Sequence, residues 1–153
     1  NDFVDEQGSL YVRDAIAAVR ATNKLRDGYA FDVVAQTRDW HPPGHCSFAT
    51  THGAPVFTEK TMTLEDGEVV LQMMWPDHCV QGTHGAKFHP ELRVDPFDII
   101  IDKGTKLGVD SYSGFFDNCR QGETTLQKEL KRRDVGEVYV VGVAMDFCVG
   151  CTA

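Results

Sequence analysis

Asp39 and His41 set a carboxylate and an imidazole two residues apart, with Trp40 between them. Where a strand ends, alternate side chains point the same way, so this pair can grip one cation. His45 follows shortly after, and the run Trp75-Pro76-Asp77-His78-Cys79 brings a further histidine from the same Pro/Gly/His-rich stretch. A single loop histidine is ordinarily a solvated or capping group. Three N/O donors drawn from two loops make a metal site the better reading. Asp39, His41 and His78, with no cysteine among them, suit one divalent ion, Zn²⁺ or Fe²⁺ and also Mn²⁺, with positions open to water as in a catalytic site. Pro42, Pro43 and Gly44 interrupt any helix between His41 and His45, so i, i+4 stacking is not expected to align the two rings, and His45 is expected outside the direct ligands.

A second group of reactive types lies further on. Cys148 follows an apolar run and enters a probable helix, where backbone N–H groups favour a thiolate. Lys103 ends another apolar run and is a candidate cation for it. The commonplace alternatives are a buried cysteine acting as a small hydrophobe and a surface lysine snorkelling into solvent. Cys148 and Cys151 also have the C-x-x-C spacing of a dithiol redox motif, although a thioredoxin-like domain places most of its sheet after that motif, and two residues remain here. Phe3 and Trp75 would ordinarily belong to a core, but as aromatics in loops beside ionisable groups they are also candidates to wall a flat heteroaromatic substrate.

These groups need a scaffold that gathers them. Apolar positions Leu10, Val12, Ile16, Val19 and Leu25 predict a helix capped by Ser9 and fading at Asp27-Gly28. Residues 31–38 and 98–102 are short, apolar and strand-like, and residues 124–133 form a helix with a basic last turn. Residues 138–144 read as a fully buried strand from their continuous apolar character. Between residue 40 and about residue 85 the sequence lacks periodicity and is expected to be a long functional loop. The alternation of helix and strand predicts an α/β fold, three-layer α/β/α with a largely parallel central sheet. In such sheets ligands sit beyond the carboxyl ends of the strands, where Asp39/His41, Lys103 and Cys148 all fall.

The 153 residues suffice for one domain spanning 1–153, with 42% hydrophobic and 25% charged residues, an ordinary globular composition. A net charge of −8 disfavours nucleic acid and anionic lipid as partners, and no apolar run is long enough for a spanning helix. Five cysteines, an odd number, favour a reducing compartment and free thiols. The expected location is therefore cytoplasmic, although the chain opens on Asn1, inside what reads as a motif, and is expected to be incomplete at both ends.

The pieces, in this order, resemble the nicotinamidase/pyrazinamidase branch of the isochorismatase-like cysteine hydrolases. The matching text is Asn1-Asp2-Phe3, Asp39-Trp40-His41-Pro42 with His45, Ser47 and Phe48, Trp75-Pro76-Asp77-His78-Cys79, Lys103-Gly104-Thr105, Asp110-Ser111-Tyr112, and Gly142-Val143-Ala144-Met145-Asp146-Phe147-Cys148-Val149. The resemblance implies an isochorismatase-like fold and hydrolysis of nicotinamide to nicotinate and ammonia in NAD salvage. Cys148 would be the nucleophile of a thioester route and Lys103 its cationic partner. The N–H groups of Ala144 and Cys148 would form the oxyanion hole, with the bond before Ala144 cis. Asp39, His41 and His78 would hold the metal, Phe3 and Trp75 would flank the ring, and Asp110 would lie in the metal's outer surroundings. A homo-oligomer is compatible with this branch. One departure matters: the branch's catalytic aspartate falls three residues before the position of Asn1, and neither Asp2 nor Asp5 matches it. The sequence as it stands is therefore expected to be an impaired amidase. Competing readings are another cysteine hydrolase of the superfamily, which needs no Asp/His/His trio, and a non-catalytic metal-binding or dithiol module.

Overall fold

The computed structural model describes residues 1–64 and 66–153. Its first ten residues are a knot of turns: Asn1 O accepts from the N–H groups of Val4 and Asp5, and Asp2 O from that of Leu10. The first helix, α1 (Ala15–Gly28), starts later than the Ser9 cap predicts. Asp14, immediately before it, has φ 60°, a left-handed conformation that interrupts helical continuity with the preceding turns. The apolar face of α1 packs inward through Ala15 and Val19.

Strands β1 (Ala35–Asp39) and β4 (Ile99–Lys103) pair in parallel, in register from Ala35↔Ile99 to Asp39↔Lys103. That register sets the acid and the lysine side by side at the carboxyl end. The stretch expected to be one long loop contains a short helix, α2 (Ala49–His52), and an antiparallel hairpin of β2 (Glu59–Thr63) and β3 (Val69–Met73). Asp66-Gly67, with Gly67 at φ 88°, is the hairpin signal that the loop reading passed over. Helix α3 (Leu126–Arg132) lies where expected and ends in Lys131 and Arg132.

Residues 138–143 correct the sequence reading. They form no ladder, and Val138, Tyr139 and Val141 are each about half exposed, at 53%, 58% and 48%. A cavity of about 770 Å³ separates this segment from β1. The rings of Phe31 and Tyr139 meet at 5.8 Å at one end of that cavity, and Asp39 and Cys148 share Lys103 at the other, so the two walls run in the same direction. The residues have the composition of a buried strand, but a strand is buried by neighbours, and no strand among the described residues pairs with them.

The tightest packing is elsewhere. Phe48, Met74 and Ile101 are fully buried together with His41, His45 and Ser47. Phe48 meets the rings of His41, His45 and His78 edge-on at 5.5–5.7 Å, so the core supports the histidine loops directly. Among the described residues no helix is long and apolar enough to cross a membrane.

Candidate active site

Lys103 ends β4 with its side chain 3% exposed. Its ammonium donates to the Asp39 carboxylate, to Ser111 O at 2.8 Å and to Cys148 Sγ at 3.3 Å, which uses all three of its donors. Burial alone would neutralise it, but the facing Asp39 carboxylate and the Cys148 sulfur hold its pKa above the ordinary lysine value. Burial likewise works against the Asp39 carboxylate, and the Lys103 charge together with the facing His41 and His78 imidazoles outweighs it, leaving Asp39 well below the usual carboxylate range. The two form a fully desolvated ion pair rather than a surface lysine and a loop acid.

Cys148 sits in a π-helical turn (Met145–Val149) that runs directly into a last short turn, α4 (Gly150–Thr152). The Val143–Ala144 bond that leads into it is cis, and the Ala144 carbonyl accepts from the N–H groups of Phe147 and Val149. The thiol is pushed up to about 11, first by burial and then by the Asp39 charge, with Lys103 pulling the other way. At neutral pH it carries its proton, so nucleophilic attack requires a base to remove it.

On the other side of Asp39, His41 Nε2 and His78 Nε2 each lie 3.7 Å from Oδ2, too far for a hydrogen bond. Each ring is fixed from behind: Nδ1–H of His41 donates to Gly104 O and Nδ1–H of His78 to Pro76 O, both at 2.8 Å. Gly104 makes the first of these possible, since it has φ +61° and a side chain there would run into the His41 ring. With Nδ1 committed as a donor, Nε2 of each ring in its neutral form presents a lone pair, and the two converge beside a carboxylate oxygen. Back-bonded imidazoles aimed beside a carboxylate are the arrangement of metal ligands, and the donor set fits one divalent ion. Burial opposes charge on His41, but the facing Asp39 carboxylate outweighs it and holds its pKa above the ordinary histidine value.

The Pro42-Pro43-Gly44 turn does not keep His45 away from His41. The His45 N–H bonds Pro42 O at 3.1 Å, and the two rings stack at 4.2 Å. His45 belongs to a second buried group with His41 and Asp110. Burial and the neighbouring His41 push its pKa down to about 4, so it remains a neutral imidazole, with Nδ1 2.8 Å from the Ser47 hydroxyl. Asp110 is tied to Ser111 N–H at 2.8 Å and lies behind the two histidines.

The expected aromatic walls take different places. Phe3 meets His78 edge-on at 5.5 Å and lines the large cavity with Asp39, Lys103 and Cys148. Trp75 meets Phe147 at 4.9 Å, and its indole N–H donates to the Tyr112 hydroxyl at 3.1 Å. Tyr112 and Phe147 complete an aromatic group whose roles sequence reading missed; the available signal was Phe147 directly preceding Cys148. Asp2 and Asp5 are engaged elsewhere. Asp2 accepts the Cys79 N–H at 2.7 Å, and Asp5 lies 3.4 and 3.3 Å from the imidazoles of His84 and His89.

With this geometry in view, the isochorismatase domain model matches residues 1–153. The nicotinamidase of Acinetobacter baylyi is 43% identical over 95% of this chain and 65% of its own length. Among solved structures, the yeast nicotinamidase bound to the inhibitor nicotinaldehyde superposes with a TM-score of 0.92 at 31% identity, covering 100% of this chain and 75% of that one. The chain belongs to the isochorismatase family. Within it, these relatives place the chain on the nicotinamidase/pyrazinamidase branch. A pyrazinamidase of Pyrococcus horikoshii in complex with zinc is also similar, with a TM-score of 0.73 at 32% identity over 99% of this chain and 70% of that one. The chain spans about two thirds of the length of the curated relatives it matches. Its α/β fold is that of the family, with β1 and β4 as the described parallel pair.

Proposed function

We propose that this protein is a metal-assisted cysteine amidase that converts nicotinamide to nicotinate and ammonia in NAD salvage. One observation carries the reading: a single buried ammonium, that of Lys103, joins Cys148 at 3.3 Å to the Asp39 carboxylate that also faces His41 and His78. The reactive thiol and Asp39 of the donor trio thus line one cavity, with Phe3 on its wall, and His41 and His78 flank Asp39 from behind that wall.

Cys148 attacks the carboxamide carbon once its proton is removed, and Lys103 holds the sulfur as thiolate by its fixed positive charge. The N–H groups of Ala144 and Cys148, at the start of the turn, receive the developing oxyanion. Collapse of the tetrahedral intermediate expels ammonia, which takes a proton, and leaves the acyl group on sulfur as a thioester. Water then cleaves the thioester to nicotinate and returns the thiol. Asp39, His41 and His78 would hold the divalent ion, zinc in the first instance by analogy with the Pyrococcus relative and otherwise iron or manganese. When bound, it supplies a Lewis-acid position for the pyridine nitrogen. Phe3 and Trp75, with Tyr112 and Phe147, confine the ring.

Lys103 cannot serve as the base, since its pKa lies above the ordinary lysine value and all its donors are engaged. The reading therefore assigns proton transfer to an aspartate on a strand upstream of Asn1, and these 153 residues alone should be several orders of magnitude slower than a chain carrying it. The test is ammonia release from nicotinamide by a chain extended upstream through an aspartate-bearing strand, alongside the 153-residue chain. Cys148→Ala in the extended chain should abolish release while retaining metal and nicotinamide binding, and Cys151→Ala should remain active. Release that survives Cys148→Ala would remove the proposal.

A further inference from the structure

We propose that Cys151 is the resolving thiol of an oxidation site at Cys148, where a hydroperoxide converts the pair to a reversible disulfide. The proposal rests on reading Cys148 as the chemically accessible, cation-flanked thiol of the site, and it assigns to Cys151 a role that amide hydrolysis does not use.

The five cysteines are all free, and they divide by environment. Cys46 and Cys79 are buried in the loops beneath the histidines. Burial raises both thiols, Cys46 to about 12, and Cys79 donates weakly to Gly85 O at 3.8 Å. Cys148 lies on the large cavity beside Lys103, and Cys151 is exposed one turn further along the same helical segment. The Thr152 hydroxyl bonds Cys148 O at 2.6 Å and the Ala153 N–H bonds Val149 O at 3.0 Å, so the chain from Cys148 onward is wound as a helix. Residues three apart on a helix have their Cβ atoms about 5–6 Å apart and lie on neighbouring positions of one face. A disulfide needs Cβ atoms about 3.5–4.5 Å apart, so closure asks for a tightening of roughly 1–2 Å within one turn.

The local backbone can supply that adjustment. The turn holding Cys148 is a π-helical turn, in which the Val149 N–H reaches back to Ala144 O at 3.1 Å, and such turns have an extra residue's slack compared with an α-helix. Gly150 lies between the two cysteines. A Cβ there would stand 2.8 Å from Met145 O, so the absence of a side chain is what lets this turn stay compact, and glycine also leaves its dihedrals free to change.

The chemistry balances in two steps. In the first, Cys148 gives up its proton and its sulfur attacks the distal oxygen of the hydroperoxide. The O–O bond breaks, sulfur is oxidised to the sulfenic acid, and the other oxygen takes up the proton that the thiol released and leaves as water or an alcohol. In the second, the Cys151 sulfur attacks the Cys148 sulfur, an S–S bond forms, and the sulfenic oxygen leaves as water with the Cys151 proton. A thiol reductant restores both cysteines. Without Cys151, the sulfenic acid would proceed to sulfinic and sulfonic acids, which simple thiols do not reverse. The pair would shelter the nucleophile from permanent loss.

The probe is hydrogen peroxide applied to the upstream-extended chain, which carries the base that the proposed function assigns to Cys148, followed by alkylation of free thiols and peptide mass spectrometry, with Cys151→Ser in parallel. Cys151 is exposed, so its replacement should leave the fold intact, as circular dichroism would confirm. The expected result is loss of two free thiols, both within the peptide containing residues 148–151, restored by dithiothreitol. The Cys151→Ser chain should instead accumulate irreversibly oxidised Cys148. Equal irreversible oxidation of Cys148 in both chains, or peroxide treatment that leaves the 148–151 peptide reduced, would overturn the proposal. Disulfide formation together with ammonia release that ignores Cys148→Ala would leave this inference standing and overturn the amidase reading. Turnover that depends on Cys148 without any pairing would do the reverse.

Discussion

Residues 99–103 and 138–143 are both β-branched, apolar runs, and each delivers one half of the reactive pair. In β4, Ile101 is 2% exposed, the backbone is laddered to β1, and the lysine at the end has every donor engaged. In residues 138–143, Val138, Tyr139 and Val141 are about half exposed and the run lines a cavity, and the thiol of the cysteine that follows accepts from Lys103 at 3.3 Å. A run of Val, Ile and Tyr specifies an extended chain, whereas burial and rigidity come from what lies alongside. The site accordingly has a laddered half, holding Asp39, Lys103 and the histidines, and a half without a ladder among the described residues, which carries the nucleophile and is held by Phe147 against Trp75 and Tyr112.

Placing the same charge in each run separates them most sharply. Ile101→Asp should cost more than about 4 kcal/mol and abolish folding, because it buries an unpaired carboxylate. Val141→Asp should stay within about 0.5 kcal/mol, as exposed substitutions do. Urea denaturation followed by circular dichroism reads both. A large cost at Val141 would mean that this segment is packed and the contrast false.

Lys103→Met probes the laddered half alone. It leaves the Asp39 carboxylate buried without its cation and should cost about 3–5 kcal/mol in the metal-free chain. The sign of the pH effect follows from Asp39. Its folded pKa lies below 3.8, so the stability it contributes is complete above about pH 4 and is lost as pH falls through the folded value. Without Lys103, burial favours the protonated form of Asp39, so the cost of Lys103→Met should be largest near neutrality and shrink as pH falls and Asp39 takes up a proton. A cost that stays the same across that range would show that the ion pair carries little of the stability.

The half that carries the nucleophile gives the smallest effect. In a Cys151→Ala background without metal, alkylation of Cys148 by iodoacetamide should remain slow at neutrality and rise with a midpoint near the value of about 11 that burial and Asp39 impose. A midpoint well below the ordinary thiol value of 9.0 would mean that Lys103 outweighs both.

The sequence was legible where local rules decide. Acid and imidazole two apart at a strand end, and lysine at the end of an isoleucine run, could be read directly, because a parallel register brings strand ends together. The Asp66-Gly67 hairpin was also legible, but the surrounding Pro, Gly and His residues masked its short period. Two features were not. Residues 138–143 carry the pattern of a buried strand, and no pattern within a run states whether a neighbour is present. The stacking of His45 on His41 comes from a turn folding back through Pro42 and Gly44, a path that helical periodicity does not describe. Tyr112 and Phe147 join Trp75 only through the tertiary fold.

The central claim is that a divalent ion at Asp39, His41 and His78 orients an amide for Cys148. Its most direct test is ammonia release from nicotinamide by the upstream-extended chain, measured before and after the metal is stripped with a chelator, with elemental analysis of the same samples. The account predicts that activity falls by orders of magnitude with the metal and returns when zinc, iron or manganese is restored, and that His41→Ala and His78→Ala neither retain metal nor recover. Undiminished ammonia release from demonstrably metal-free protein, or full metal retention in both variants, would contradict it.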